Sequence, residues 1–142
     1  MEFYLKKFNE LTIDEFYEII SLRLEVFVVE QQSIYQDLDY LDQDALHLYY
    51  KINNEIVAYL RIIKLTDSII KIGRVIAKTK KQGHGKLIMN YALKYLRENT
   101  FKQVHLDAQV IVKEFYEKFG FKATSNIFIL DGIPHVKMEL IL

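Results

Sequence analysis

The segment with the plainest chemical content is KKQGHGK, residues 80–86, set between a run of strand character, Ile69–Ala77, and the helical run LIMNYALKYLREN. A loop at such a junction turns backbone N–H groups and the positive end of a helix dipole toward one point, which attracts an anion such as a phosphate. Gly83 and Gly85 would let the backbone approach phosphate oxygens closely, or they make a tight turn and nothing more. Lys78, Lys80, Lys81, Lys86 and His84 beside them favour the anion. Spacing excludes two phosphate motifs. A Walker A loop needs glycine where this chain has Lys80 and Ser or Thr where it has Leu87, and a dinucleotide fingerprint needs a third glycine where it has Ile88.

Charge is distributed unevenly around this loop. Residues 1–59 carry 12 Asp/Glu against 4 Lys/Arg, residues 60–102 carry 2 against 11, and the remainder carries 5 against 4. Either the middle binds something anionic and the first part something cationic, with Glu30, Asp37, Asp39, Asp42 and Asp44 as a lure for a cation, or the two blocks pair with each other. Net charge is zero, so no global field holds a polyanion, and nucleic acid is not expected as a partner. The absence of cysteine excludes disulfides, a thiolate nucleophile and Cys-ligated metal. Four histidines without an HExxH motif give no reason to expect a metal site. With 142 residues, 51% of them hydrophobic, the chain reads as one domain spanning 1–142 with a substantial core. It has no stretch long and apolar enough for a membrane span, and MEFYLKKF lacks the features of a leader, so a cytoplasmic protein is expected.

The elements that must position the loop follow from patterning. Residues 3–8 read as a strand; Thr12 and Glu15 form a capping box that starts a helix with Phe16, Ile19, Ile20, Leu24 and Phe27 on its buried stripe. Residues 30–45 hold five acids and no base, and read as loop and broken helix. His47–Ile52 and Ile56–Leu65 form a hairpin around Asn53-Asn54, and Ile69–Ala77 is a third strand. Leu87, Ile88, Tyr91, Leu93 and Tyr95 offer a core face to the next helix. Val104–Ala108 is a strand, and Val112–Phe119 a short helix stopped by Gly120. A hairpin around Asp131-Gly132 joins strands near 123–130 and 133–140, with Pro134 marking an edge or a bulge. This order predicts a mixed α/β sandwich.

On these residues the chain resembles a known family. IGRVIAKTKKQGHGKLIM is similar to motif A, Q/R-x-x-G-x-G/A, of the GNAT acyl-CoA-dependent N-acetyltransferases, with Lys80 where Gln or Arg is usual if Gly83 and Gly85 take the glycine positions. LRLEVFVVEQ, YQDLDYLD, IGRV, FYEKFGF and DGIPHVKM resemble, in order, blocks of the ElaA-type branch. The resemblance implies a GNAT-like α/β fold, a mixed twisted sheet of about seven strands flanked by helices, with splayed central parallel strands. It implies acetyl-CoA as cosubstrate, its pantetheine along Val75, Ile76 and Ala77 and its pyrophosphate toward Lys81, Gln82, Gly83, His84, Gly85 and Lys86. Tyr116 corresponds to the tyrosine to which many members assign protonation of the departing thiolate. Arg74 and His135 stand at family positions near the cleft and are candidate acceptor contacts.

Acetyl transfer needs a neutral amine, so some group must take a proton. Glu30, which ends the VFVVE run, could be that base, a substrate anchor or an N-cap; His47, at a strand end, could be the base or a structural hydrogen-bonder. The expected partners are therefore acetyl-CoA and an amine, in a monomer or homodimer. The alternative is a noncatalytic acyl-CoA-binding or protein-interaction module that keeps the fold.

Overall fold

The computed structural model describes residues 2–79 and 82–142. Its elements are β1 (Glu2–Lys7), α1 (Ile13–Leu24), β2 (Leu46–Ile52), β3 (Glu55–Lys64), β4 (Ile69–Ala77), α2 (His84–Glu98), β5 (Gln103–Gln109), α3 (Lys113–Glu117), β6 (Lys122–Ala123), β7 (Phe128–Leu130) and β8 (Ile133–Ile141). One eight-stranded sheet runs β1-β2-β3-β4-β5-β8-β6, with β7 also paired to β8. Every pairing is antiparallel except β4 with β5.

Local chemistry explains most boundaries. The Thr12 hydroxyl accepts from the Glu15 N–H while the Glu15 carboxylate accepts from the Thr12 N–H, which starts α1. Asn53 and Asn54 both take left-handed backbone, as do Asp131 and Gly132, so both hairpins turn tightly in the sense that matches strand twist. Pro134 lies one residue past the last β5 partner of β8, the His135–Gln109 pair, so its missing N–H falls where β5 has run out. Residues 124–127 separate β6 from β7, so the single strand expected near 123–130 is interrupted.

The sheet buries two faces. Alternate residues of β2 to β5 and β8, including Leu48, Leu60, Ile72, Val104, Leu106 and Met138, pack against α2 and against Tyr116 of α3. On the opposite face Ile19 and Leu22 of α1 meet Tyr49, Ile56, Tyr59 and Ile76. Helix α2 buries Ile88, Met89, Ala92, Leu93 and Leu96; Leu87 and Tyr91 of the expected stripe are exposed instead. Helix α1 likewise exposes Leu24 and buries Arg23.

Arg23 explains the acidic segment. Its Nε donates to Asp37 (2.8 Å), Nη1 to Asp42 (2.6 Å) and Nη2 to the Asp37 carbonyl (3.2 Å). From β3, Arg61 donates to Asp39 (2.9 Å) and Asp42 (3.0 Å). From β4, Arg74 donates to the Asp37 carbonyl (3.0 Å) and lies 2.9 Å from the Asp37 carboxylate. Three guanidinium groups thus meet three carboxylates, which fastens the 31–45 segment to the sheet. The acidic and basic blocks pair with each other, and Asp37, Asp39 and Asp42 form no open lure for an amine; Glu30 and Asp44 alone of the five acids stay on the surface.

Replacing Arg23 by Met should cost about 3–5 kcal/mol in urea unfolding, because a carboxylate pair loses its guanidinium inside the protein; a loss under about 1 kcal/mol would contradict this role. A second expectation concerns acid. Burial pushes Asp39 and Glu15 up, but Arg61 on Asp39, and Lys6, Tyr49 and Thr12 on Glu15, more than offset it and hold both carboxyls at about 2. Their stabilisation is complete above the unfolded carboxyl range near ~4 and is lost as pH falls toward 2. Circular dichroism should show unfolding begin below about pH 4; full stability at pH 2 would contradict it.

Candidate active site

The parallel pair β4–β5 is joined only at Ile69–Gln103, Ile70–Val104 and Lys71–His105. Beyond Lys71 and His105 the strands diverge, while β4 stays paired to β3 and β5 to β8 as far as Gln109–His135. The result is a wedge whose walls are the facing edges of Ile72–Ala77 and Leu106–Gln109. Backbone N–H and C=O groups on those edges have no strand partner across the gap, and an amide-bearing ligand can satisfy them.

Inside the wedge β4 is bulged. Tyr59 pairs with Ile76 and Arg61 with Gly73, so Leu60 faces two residues, Arg74 and Val75. Arg74 takes φ 54°, a left-handed conformation unusual for a side-chain-bearing residue. Its guanidinium is held by Asp37 and Asp39 and lies 5.8 Å from the centre of the Tyr35 ring. The side chain placed at the cleft by sequence is thus committed to protein partners, and the backbone it distorts is what borders the wedge.

At the open end of β4 stands the start of α2. Gly83 is its N-cap at φ 79°, with no described residue within 4 Å of the position of a Cβ. The first amide to bond back within the helix is that of Leu87, to the Gly83 carbonyl (3.1 Å). Among the described residues, the amides of His84, Gly85 and Lys86 have no backbone acceptor, as first-turn amides ordinarily do not. Gly85 is a glycine for a packing reason: a Cβ there would lie 3.3 Å from the Phe115 ring of α3 and 3.6 Å from the Ala77 Cβ. Helix, α3 and the end of β4 converge on it. Gln82 is exposed beside them, His84 hydrogen-bonds the Tyr50 hydroxyl through Nδ1, and Lys80 and Lys81 lie outside the described residues. Val75, Ile76 and Ala77 are the last three residues of β4, with Ile76 buried toward α1 and Val75 against the opposite core.

Tyr116 is 8% exposed, edge-on to Phe115 and Phe121, and α3 packs on β5. Burial alone pushes its pKa up. Its hydroxyl has no hydrogen-bond partner among the described residues, which leaves it a neutral donor available to a ligand.

Of the two base candidates, His47 is committed to protein partners. His47 is buried on β2, its Nδ1 2.7 Å from the Tyr59 hydroxyl and its Nε2 2.9 Å from the Asp42 carbonyl. A carbonyl accepts only, so Nε2 carries the proton and Nδ1 accepts from Tyr59; both nitrogens are used, and burial lowers the pKa. His47 thus ties β2 to the acidic segment. Glu30 ends the π-type turn Glu25–Glu30 that continues α1 and is exposed. His135 lies on β8 opposite Gln109, the last residue of the diverging β5. Among the described residues no three His, Asp or Glu side chains gather to hold a metal.

Residues 6–142 match the family model described as Acetyltransferase (GNAT) domain. ElaA of Escherichia coli is 38% identical over 137 residues, covering 92% of this chain and 90% of that protein. Its crystal structure superposes with a TM-score of 0.90 at 35% identity, covering 97% of each chain. A UPF0039 protein of Schizosaccharomyces pombe is 37% identical over 99% of this chain and 97% of its own length. The crystal structure of an acyl-CoA N-acyltransferase from Pseudomonas aeruginosa matches with a TM-score of 0.89 at 34% identity, covering 97% of both chains.

Gly83 offers a direct test of the loop. A Cβ there meets none of the described residues, but valine is a β-branched residue forced to positive φ, which displaces the first turn of α2. Gly83→Val should weaken acetyl-CoA binding more than tenfold, about 1.4 kcal/mol, with the far-ultraviolet spectrum retained. Unchanged affinity by calorimetry on the folded variant would contradict the assignment.

Proposed function

Because the chain belongs to the GNAT acetyltransferase family, we propose that it moves the acetyl group of acetyl-CoA to a primary amine. The observation that carries the reading is the divergence of β4 from β5 directly below the free amides of His84, Gly85 and Lys86. The family's cosubstrate has two parts that suit these features. Its pantetheine amides match the unpaired edge of Val75–Ala77, and its pyrophosphate matches a helix N-terminus with no acidic residue in its first turn. Acetyl-CoA is a substrate here, and the protein's contribution is to hold and polarise it.

The bulge at Arg74 and Val75 turns backbone groups out of the β3 ladder at the depth where the thioester would lie. A backbone N–H aimed at a carbonyl oxygen stabilises the negative charge that develops on attack. Tyr116 then supplies the proton to the departing thiolate. Burial raises the pKa of the tyrosine, but it raises that of a thiolate in the same dry site as well, so the relative driving force is preserved.

Free thiol released from acetyl-CoA in the presence of an amine panel of polyamines, aminoglycosides and peptide N-termini tests the reading. Binding without thiol release across the panel would favour a noncatalytic acyl-CoA-binding module. Tyr116→Phe should lower kcat at least about tenfold within the range of a lost general acid, with little change in acetyl-CoA affinity. Its stability should barely move, since no protein hydrogen bond is lost among the described residues; full kcat in single-turnover measurements would remove Tyr116 from the chemistry. With Asp37, Asp39 and Asp42 already paired, kcat/KM for the best amine should be nearly indifferent to salt. A steep fall with ionic strength would mean that an unpaired acidic surface attracts the amine.

A further inference from the structure

We infer that His135 is the group that takes the proton from the acceptor amine, an assignment that rests on the acetyl-transfer reading above. Its burial, its hydrogen bonding and its place in the sheet support it. His135 is 8% exposed on β8, and its Nδ1 lies 2.7 Å from the Ile133 carbonyl. Because a carbonyl only accepts, Nδ1 must carry the hydrogen, which makes Nε2 the nitrogen with the lone pair. The ring is held from one side by Phe128, stacked at 6.0 Å and 26°. Both restraints are short-range, so tautomer and orientation are set before any substrate arrives.

Its level in the sheet is also right. Continuing the Lys71–His105 register along the two strands brings Gln109 level with Val75, and Gln109 pairs with His135. His135 therefore stands one strand beyond the wedge at the height of the β4 bulge. It also lies on the opposite face from the proton donor: its neighbour Val136 and Ala108 of β5 belong to the core that holds Tyr116, whereas His135 and Gln109 point the other way. On that side Gln109 donates to Gln31 (3.2 Å) and Ser33 donates to the Asp131 carbonyl (2.8 Å), which closes the 31–34 segment over β5 and the β7–β8 turn. An amine entering beneath that segment meets the imidazole on one side of the sheet, with the thiolate's proton donor on the other.

Of the other groups of suitable chemistry, Glu30 is exposed on the surface and the rest are engaged. Asp107 is paired with Lys71 (3.0 Å), His105 with Glu139 (3.3 Å) and Gln103 (3.1 Å), and His47 has both nitrogens bonded. The charged residues toward His135 from the surrounding elements are Asp107 and Lys137, the next β5–β8 pair on its face, Asp131 in the β7–β8 turn, Arg74 across the wedge, and Glu30, which directly precedes the 31–34 segment tied to β5 by Gln31. The step balances as follows. The ammonium gives one proton to Nε2, and the neutral amine attacks the thioester carbonyl. The C–S bond breaks and the thiolate takes the Tyr116 proton. The second proton on the new amide nitrogen restores Tyr116, and the imidazolium releases its proton to solvent.

Two measurements test this in the full-length protein. Long-range 1H–15N spectra of the wild type should show His135 as the Nδ1–H tautomer; an Nε2–H tautomer would overturn the inference whatever the activity. In His135→Gln, kcat/KM for the best amine of the panel should fall about 10²–10⁴-fold at neutral pH. The deficit should shrink as pH rises toward the pKa of the amine, and nearly vanish for a fluorinated ethylamine that is already neutral at pH 7. A deficit of equal size for both amines at all pH values would make His135 structural, and no deficit would remove it. If the wild type releases no thiol at all, the acetyl-transfer reading fails instead, while the tautomer measurement still stands by itself.

Discussion

The arrangement depends on two neighbouring parallel strands that cannot stay together. After three paired residues β4 and β5 separate, and each strand leaves part of one edge unbonded. A sheet would ordinarily close such a gap, because buried unpaired amides are costly, on the order of 1–3 kcal/mol each. Here each strand is retained by its outer neighbour: β5 pairs with β8 over its whole length, and β4 pairs with β3 through a bulge. The bulge carries a left-handed arginine, a conformation that costs roughly 1–2 kcal/mol and persists only when something holds it. Asp37 and Asp39 hold that arginine, so the ionic cluster and the wedge are parts of one device.

The cluster also decides what kind of acceptor site the protein offers. Three arginines from α1, β3 and β4 neutralise three aspartates of the covering segment, so the segment is fixed in place without creating a net field. On the proposed reading, an amine is selected by fit and by loss of its proton. At pH 7 a lysine-like amine is charged in all but about one molecule in 2,500, a cost of about 4.6 kcal/mol for reaching the neutral form. An imidazole fixed as a proton acceptor on one sheet face, with a phenol as donor on the other, separates the two proton transfers in space. In that arrangement neither group neutralises the other.

Much of this was legible in the sequence where the governing interaction is local. The capping box of Thr12 and Glu15, the hairpins at Asn53-Asn54 and Asp131-Gly132, and the glycine turn before α2 each depend on neighbours within a few residues. What the sequence hid depends on partners far along the chain. Arg23 sits on a helix whose periodicity marks apolar positions, and its burial follows only from Asp37 and Asp42, 14 and 19 residues away. The run of acids looked open because Arg61 and Arg74 lie on strands that only the folded sheet brings near. Gly85 suggested an approach to phosphate, and its contact with Phe115 of α3 shows a packing demand as well. His47 and His135 are alike as residue types; what separates them is that, among the described residues, the fold engages both nitrogens of one and a single nitrogen of the other.

Hydrogen exchange of backbone amides with and without acetyl-CoA tests the central claim most directly. If the diverging strands and the helix start form one cosubstrate site, saturating acetyl-CoA should slow exchange together at Val75, Ile76 and Ala77 and at His84, Gly85 and Lys86. The β1–β2 ladder should stay unchanged. Protection confined to the helix start, with the β4 edge exchanging as before, would contradict the account, because the wedge would then hold nothing.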